Sequence, residues 1–292
     1  MDKKRAFITF AVGDDYIRLS QVLKKSIESF SEYPIKSFGV EDFDLEYRPD
    51  LWKPGYIYIY KVLSCIKALE EYDEVVWLDN DCLATDNIDK IWDMDIEGYP
   101  LLSKHRFQNF DVWPHSKTDY SDPSIMVEGK TRVGVSGEFD NSYLQACCMF
   151  FDRGCFEFFK EVIGYFEDYD NVYFPYGDES IINLIRWRDN LSKDLGDVFL
   201  CSYYFSPYFL DEFIKSTDSG MYQDLFDISK RLEGVNEDGI ILAHGASLAR
   251  HNRVGLIRNN FEDILFFHGS KSTELHDRYL SLMIEHRKAI HS

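Results

Sequence analysis

Glu74-Val75-Val76-Trp77-Leu78 is apolar, β-branched and aromatic, and it stops abruptly at Asp79-Asn80-Asp81. So short and apolar a run reads as a strand buried in a sheet. The segments before it repeat the theme. Ala6 to Val12 is a second apolar run, Gly13-Asp14-Asp15 breaks it, and Tyr16 to Phe30 has helical spacing. Ile17, Val22, Leu23, Ile27 and Phe30 share one face of that helix. Ser37-Phe38-Gly39-Val40 reads as a short strand, and Tyr56 to Tyr72 is helix-like at its later end, with Val62, Leu63, Ile66 and Leu69 on one side. This strand–helix–strand alternation predicts an α/β fold whose sheet has parallel neighbours. In such sheets the carboxyl ends of the strands border the ligand crevice. Gly13-Asp14-Asp15 and Asp79-Asn80-Asp81 both fall at such ends.

Residues 104–142 hold scattered aromatics, Ser, Asp and two Pro without a period, which predicts a long loop. Its Phe107, Phe110, Trp113, His115 and Tyr120 suit either a ligand-covering lid or a small apolar cluster. Leu144 to Phe151 reads as a strand, Cys155 to Phe166 as a helix, and Gly177-Asp178-Glu179 opens a helix through Trp187. Val198 to Phe205, Gly239 to Ala243 and Ile264 to Phe267 read as short strands, before a terminal helix over Glu274 to Ala289. Without repeats or linkers, residues 1–292 are expected to form one domain.

Charge and cysteines narrow the class. Thirty-two basic against 51 acidic residues give −19, the wrong sign for neutralising nucleic-acid phosphates. No stretch approaches the roughly 18 apolar residues that span a bilayer. Membrane contact is expected to be at most peripheral, through a terminal helix carrying Arg278, His286, Arg287 and Lys288. The cysteines at 65, 82, 147, 148, 155 and 201 form no paired framework and lie mostly in apolar runs. They read as reduced core residues, and the chain as cytoplasmic.

Asp79-x-Asp81 carries the chemistry. Two carboxylates one residue apart at a strand end can both reach a hard divalent cation, which prefers oxygen ligands. An apolar strand running into Asp-x-Asp also opens the phosphatases of the haloacid dehalogenase type. There the first Asp is the nucleophile, near the chain start and before a small pair. Here Cys82-Leu83 follow the motif, and 78 residues precede it.

Trp77-Leu78-Asp79-Asn80-Asp81 with Asn87-Ile88-Asp89 resembles the Asp-x-Asp segment of GT-A glycosyltransferases, most of all glycosyltransferase family 8 (the group of glycogenin and bacterial lipopolysaccharide galactosyltransferases). Ala6 to Phe10 through Asp14-Asp15-Tyr16 is similar to that family's first strand and base-binding turn. Lys61 resembles its basic residue ahead of the motif. Leu144-Gln145-Ala146-Cys147 is similar to its Asn-Ala-Gly strand, with Gln145 in place of Asn. Gly177-Asp178-Glu179 is similar to its Gly-Asp-Gln, with Glu179 in place of Gln.

The resemblance implies a GT-A (Rossmann-like) α/β fold with a mixed, mostly parallel central sheet flanked by helices, its nucleotide-sugar-binding part at about 1–103, an acceptor-side loop at about 104–142 and the remainder catalytic and C-terminal. It implies a retaining, metal-dependent transferase that moves a sugar from a nucleotide-sugar donor, UDP-linked, to a glycan, lipid-linked or protein acceptor. It implies Mn²⁺ or Mg²⁺ on Asp79, Asp81 and His268, with His244 as a second candidate for the third ligand. Phe10, Ala11, Val12, Tyr16, Lys61, Asn80 and Lys271 would bind the donor, Tyr16 stacking on the base. Asp178, Glu179 and Gln145 would surround the reacting centre. A carboxylate at Glu179 could stabilise oxocarbenium charge or attack it, or it could simply favour its helix N-terminus. A domain that binds nucleotide sugars without turnover is the remaining alternative.

Overall fold

A computed structural model describes residues 3–44, 57–84, 88–109, 123–136, 142–167, 174, 177–195, 202–203 and 266–268, with helical residues at 273, 276, 277, 280, 281 and 284. The central sheet has five strands: β1 Arg5–Phe10, β2 Ile35–Phe38, β3 Glu74–Leu78, β5 Leu101–Asn109 and β6 Ser142–Asp152, in the order β2-β1-β3-β6-β5. β1 pairs in parallel with β2 and β3, and β6 runs antiparallel to both β3 and β5. Four of the five strands therefore point the same way, the mixed, mostly parallel sheet expected from the sequence.

Alternation along β1 and β3 explains the layers. Ala6, Ile8, Val75 and Trp77 join one core with Ile59, Tyr60, Val62 and Cys65 of α2 (Tyr58–Glu71), and with α4 (Phe156–Glu167) and α5 (Asp178–Arg188). Phe7, Val76 and Leu78 point the other way. They meet Leu23 and Ile27 of α1 (Asp14–Phe30) and Ile88, Ile91 and Trp92 of a 3-10 segment. Phe7 packs edge-on against Trp92 with ring centroids 5.1 Å apart. Strands covered on both faces have no reason to alternate polar and apolar residues, hence the continuous runs. The chain leaves β1 through α1 to β2 on one side, then returns through α2 to β3 on the other. Such a reversal opens a crevice at the carboxyl ends of β1 and β3.

Several elements depart from the sequence expectation. β2 begins at Ile35, and Val40 already belongs to a 3-10 turn. The 104–142 segment is not one long loop. β5 continues to Asn109, α3 occupies Pro123–Val133, and β6 starts at Ser142. Proline at the first helical position of α3 costs no hydrogen bond, and the helix that follows has little apolar periodicity to reveal it. Cys82–Ala84 forms a short strand, β4, in a second sheet with β7 (Ser202–Tyr203) and β8 (Phe266–His268). β7 falls inside the expected Val198–Phe205 strand, and β8 is displaced toward His268. Gly239 to Ala243 and most of the terminal helix lie outside the described residues. No helix among the described residues is long and apolar enough to cross a membrane.

Candidate functional site

The end of β3 enters a turn in which the Asp79 N–H donates to the Cys147 carbonyl at 2.8 Å and the Cys82 N–H to the Asp79 carbonyl at 3.0 Å. Asn80 points inward. Its Oδ1 accepts from the Thr9 hydroxyl and its Nδ2 donates to the Phe10 carbonyl, each at 2.7 Å. This buried amide ties the turn to the end of β1, leaving Asp79 and Asp81 on either side of it.

Lys61 reaches the turn from α2. The side chain is buried, and Nζ donates to Asp79 Oδ1 at 3.0 Å and to the Ala146 carbonyl at 2.6 Å. Asp178 Oδ2 stands 3.4 Å from the same ammonium. Burial opposes the lysine's charge, but Asp178 and Asp79 together outweigh it and push the Lys61 pKa up. Asp178, only 1% exposed, is pushed up to about 6, first by burial, with Lys61 holding it down and Asp79 adding to the rise. One buried cation is thus shared between two carboxylates.

α5 delivers Asp178 and Glu179 through Gly177, whose φ of +54° suits glycine. A Cβ at Gly177 would lie 2.6 Å from Cδ2 of Tyr58, so the half-exposed Tyr58 ring closes against the helix start. Glu179, in the first turn of its helix, accepts the Ala146 N–H on Oε2 at 2.9 Å. Asn183, one turn later, takes both backbone groups of Leu144, at 2.9 and 2.8 Å. The reason is topological. β6 runs on past its last pairing with β3, Leu78↔Cys148, and side chains of α5 and α2 satisfy the backbone there in place of a strand. The β5–β6 register also shifts here, stepping from Leu102↔Met149 to Ser103↔Gln145. Gln145 is buried at this irregularity, and its carbonyl accepts from the Ser103 hydroxyl at 3.1 Å.

The remaining sequence candidates divide. Tyr16 is exposed in the first turn of α1, and Val12 is half-buried. Phe10 instead packs inward, stacked on Tyr60 with ring centroids 5.1 Å apart, and Ala11 is buried with its N–H on the Phe38 carbonyl. His268 is opposite Cys82 in the β4–β8 register, one residue from Asp81, although its side chain lies outside the described part. His244 and Lys271 lie outside the described residues. Among the described residues no three His, Cys, Asp or Glu side chains gather into a metal group. Sequence reasoning missed Tyr58, Asn183 and Trp77. Of these only Trp77 left a signal, its spacing of two from Asp79 on a strand.

No family model matches the chain, and no curated protein matches it. Solved structures do. A glycosyltransferase involved in glycosylation of the major capsid of PBCV-1 matches at 10% identity and a TM-score of 0.46, over 94% of this chain and 98% of that one. The galactosyltransferase LgtC, in complex with donor and acceptor sugar analogues, matches at 18% identity and a TM-score of 0.41, over 75% and 82%. GlyE of Streptococcus pneumoniae TIGR4 matches at 14% identity and a TM-score of 0.45, over 99% of this chain and 64% of that one.

Proposed function

We propose that the chain is a GT-A-type glycosyltransferase that moves a sugar from a UDP-linked donor to a glycan, lipid-linked or protein acceptor with retention of configuration. One observation carries this reading. Asp79 and Asp178 share the buried Lys61 at the carboxyl ends of β1 and β3, beside the Asp81 turn. Carboxylates in excess of cations suit a divalent ion, and the donor set of Asp79, Asp81 and the adjacent His268 suits Mn²⁺ or Mg²⁺. Bound there, such an ion would offset charge developing on the departing nucleoside diphosphate.

The chain's own residues take the other roles. Lys61, tied to Asp79 and Asp178, orients both carboxylates rather than meeting phosphate directly. Asp178, buried against Lys61, would meet the sugar hydroxyls near the reacting carbon once the donor is bound. Glu179, fixed by the Ala146 N–H, and Gln145 line the same region. Tyr16 stacks on the base, while Phe10, Ala11, Val12 and Asn80 shape the floor beneath it, and Lys271 meets the diphosphate. The test is UDP release from a panel of UDP-sugars with and without Mn²⁺. Mn²⁺-dependent release that falls to background in Asp79→Asn supports the reading. Cleavage of an aryl phosphate without UDP release from any donor contradicts it in favour of a phosphatase.

A further inference from the structure

Trp77 and Asp79 are two apart at the end of a strand, so their side chains leave on the same face. Trp77 is 3% exposed and packs in the core shared by β1, β3 and α2. A buried indole N–H needs an acceptor. Here the acceptor is a carboxylate of the site: Nε1–H donates to Asp79 Oδ1 at 2.7 Å. Lys61 Nζ donates to the same oxygen at 3.0 Å and stands 5.2 Å from the Trp77 ring centroid. Two donors arriving from different elements fix the plane of that carboxylate. The indole face also supports the ammonium that supplies one of them.

We infer that Trp77 is a positioning residue for Asp79: its indole N–H sets the carboxylate orientation in which Asp79 holds a divalent cation. This rests on the metal-dependent reading above. A phenylalanine keeps an aromatic ring at this apolar position and removes the N–H, at the cost of a smaller side chain in the core. Outer partners of metal ligands typically change metal affinity by about 10- to 100-fold when removed.

The test compares Mn²⁺ binding to wild type and Trp77→Phe in the presence of UDP, read from the electron paramagnetic resonance of free Mn²⁺. The inference predicts binding weaker by about 10- to 100-fold in Trp77→Phe, with secondary structure retained by circular dichroism. Equal affinity in the two proteins overturns the role of Trp77 alone. No Mn²⁺ binding by the wild type overturns it together with the metal-dependent reading. Should Trp77→Phe fail to fold, indole ¹⁵N–¹H spectra of tryptophan-labelled wild type decide. The Trp77 signal, assigned through Phe variants at Trp52, Trp92, Trp113 and Trp187, should shift on adding Mg²⁺ with UDP, and an unmoved signal overturns the inference.

Discussion

Asp178 should make the protein less stable as pH rises from about 4 to about 6, and Asp178→Asn should remove that loss. Burial raises its carboxyl pKa from 3.8 to about 6, so the native state holds a proton that the unfolded chain has released. Unfolding in this window releases a proton, and stability falls with rising pH. The contribution is complete below the unfolded value and gone above the folded one. A rise of about two units corresponds to about 3 kcal/mol. The asparagine variant cannot ionise. Any offset from leaving Lys61 with a single carboxylate partner shifts its curve without reproducing the descent. Urea unfolding followed by tryptophan fluorescence, at constant ionic strength from pH 4 to 7.5, measures both curves. Wild type should lose about 2 kcal/mol of that contribution relative to the variant between pH 4 and 7.5, since pH 4 already lies above the unfolded value. Parallel curves, or a wild type that gains on the variant as pH rises, would mean that Lys61 dominates burial and would refute the reasoning.

Other outcomes follow from the same geometry. Gly177→Ala forces a Cβ to within 2.6 Å of the Tyr58 ring at a φ of +54°, and should cost roughly 2–4 kcal/mol in chemical denaturation. Asn80→Ala leaves the buried Thr9 hydroxyl and Phe10 carbonyl without their partner and should cost about 1–3 kcal/mol, measured the same way. Cys65, Cys82, Cys147, Cys148 and Cys155 are buried free thiols. They should resist a thiol-specific chromogenic reagent until denaturant is added, since burial pushes the Cys65, Cys82 and Cys148 thiols well up.

The parts of the fold that the sequence announced are those whose burial is two-sided and local. β1 and β3 read as strands because unbroken apolar runs satisfy two cores at once, and α1 because one face alone is apolar. β5 and α3 did not announce themselves. β5 begins Leu101-Leu102 but continues through Ser, Lys, His and Arg, and α3 mixes polar and apolar residues without a clear face. In the site, Asp79, Asp81 and Asp178 were legible as residue types at strand and helix ends. Their relationship was not. The sharing of Lys61 between Asp79 and Asp178 depends on α2 and α5 packing together over the sheet, which no local pattern encodes. Glu179 bonds the β6 backbone for a similar reason: β3 ends before β6 does, leaving an N–H that a helix side chain must satisfy.

Thermal unfolding of wild type and Asp81→Ala, with UDP and Mn²⁺ supplied separately and together, addresses the proposed donor site most directly. A ligand bound only by the folded state adds about 2.7 kcal/mol at a hundredfold excess over its dissociation constant. The account predicts a rise in melting temperature that needs both UDP and Mn²⁺ and disappears in Asp81→Ala. No rise with the pair, or an equal rise in Asp81→Ala, would contradict it.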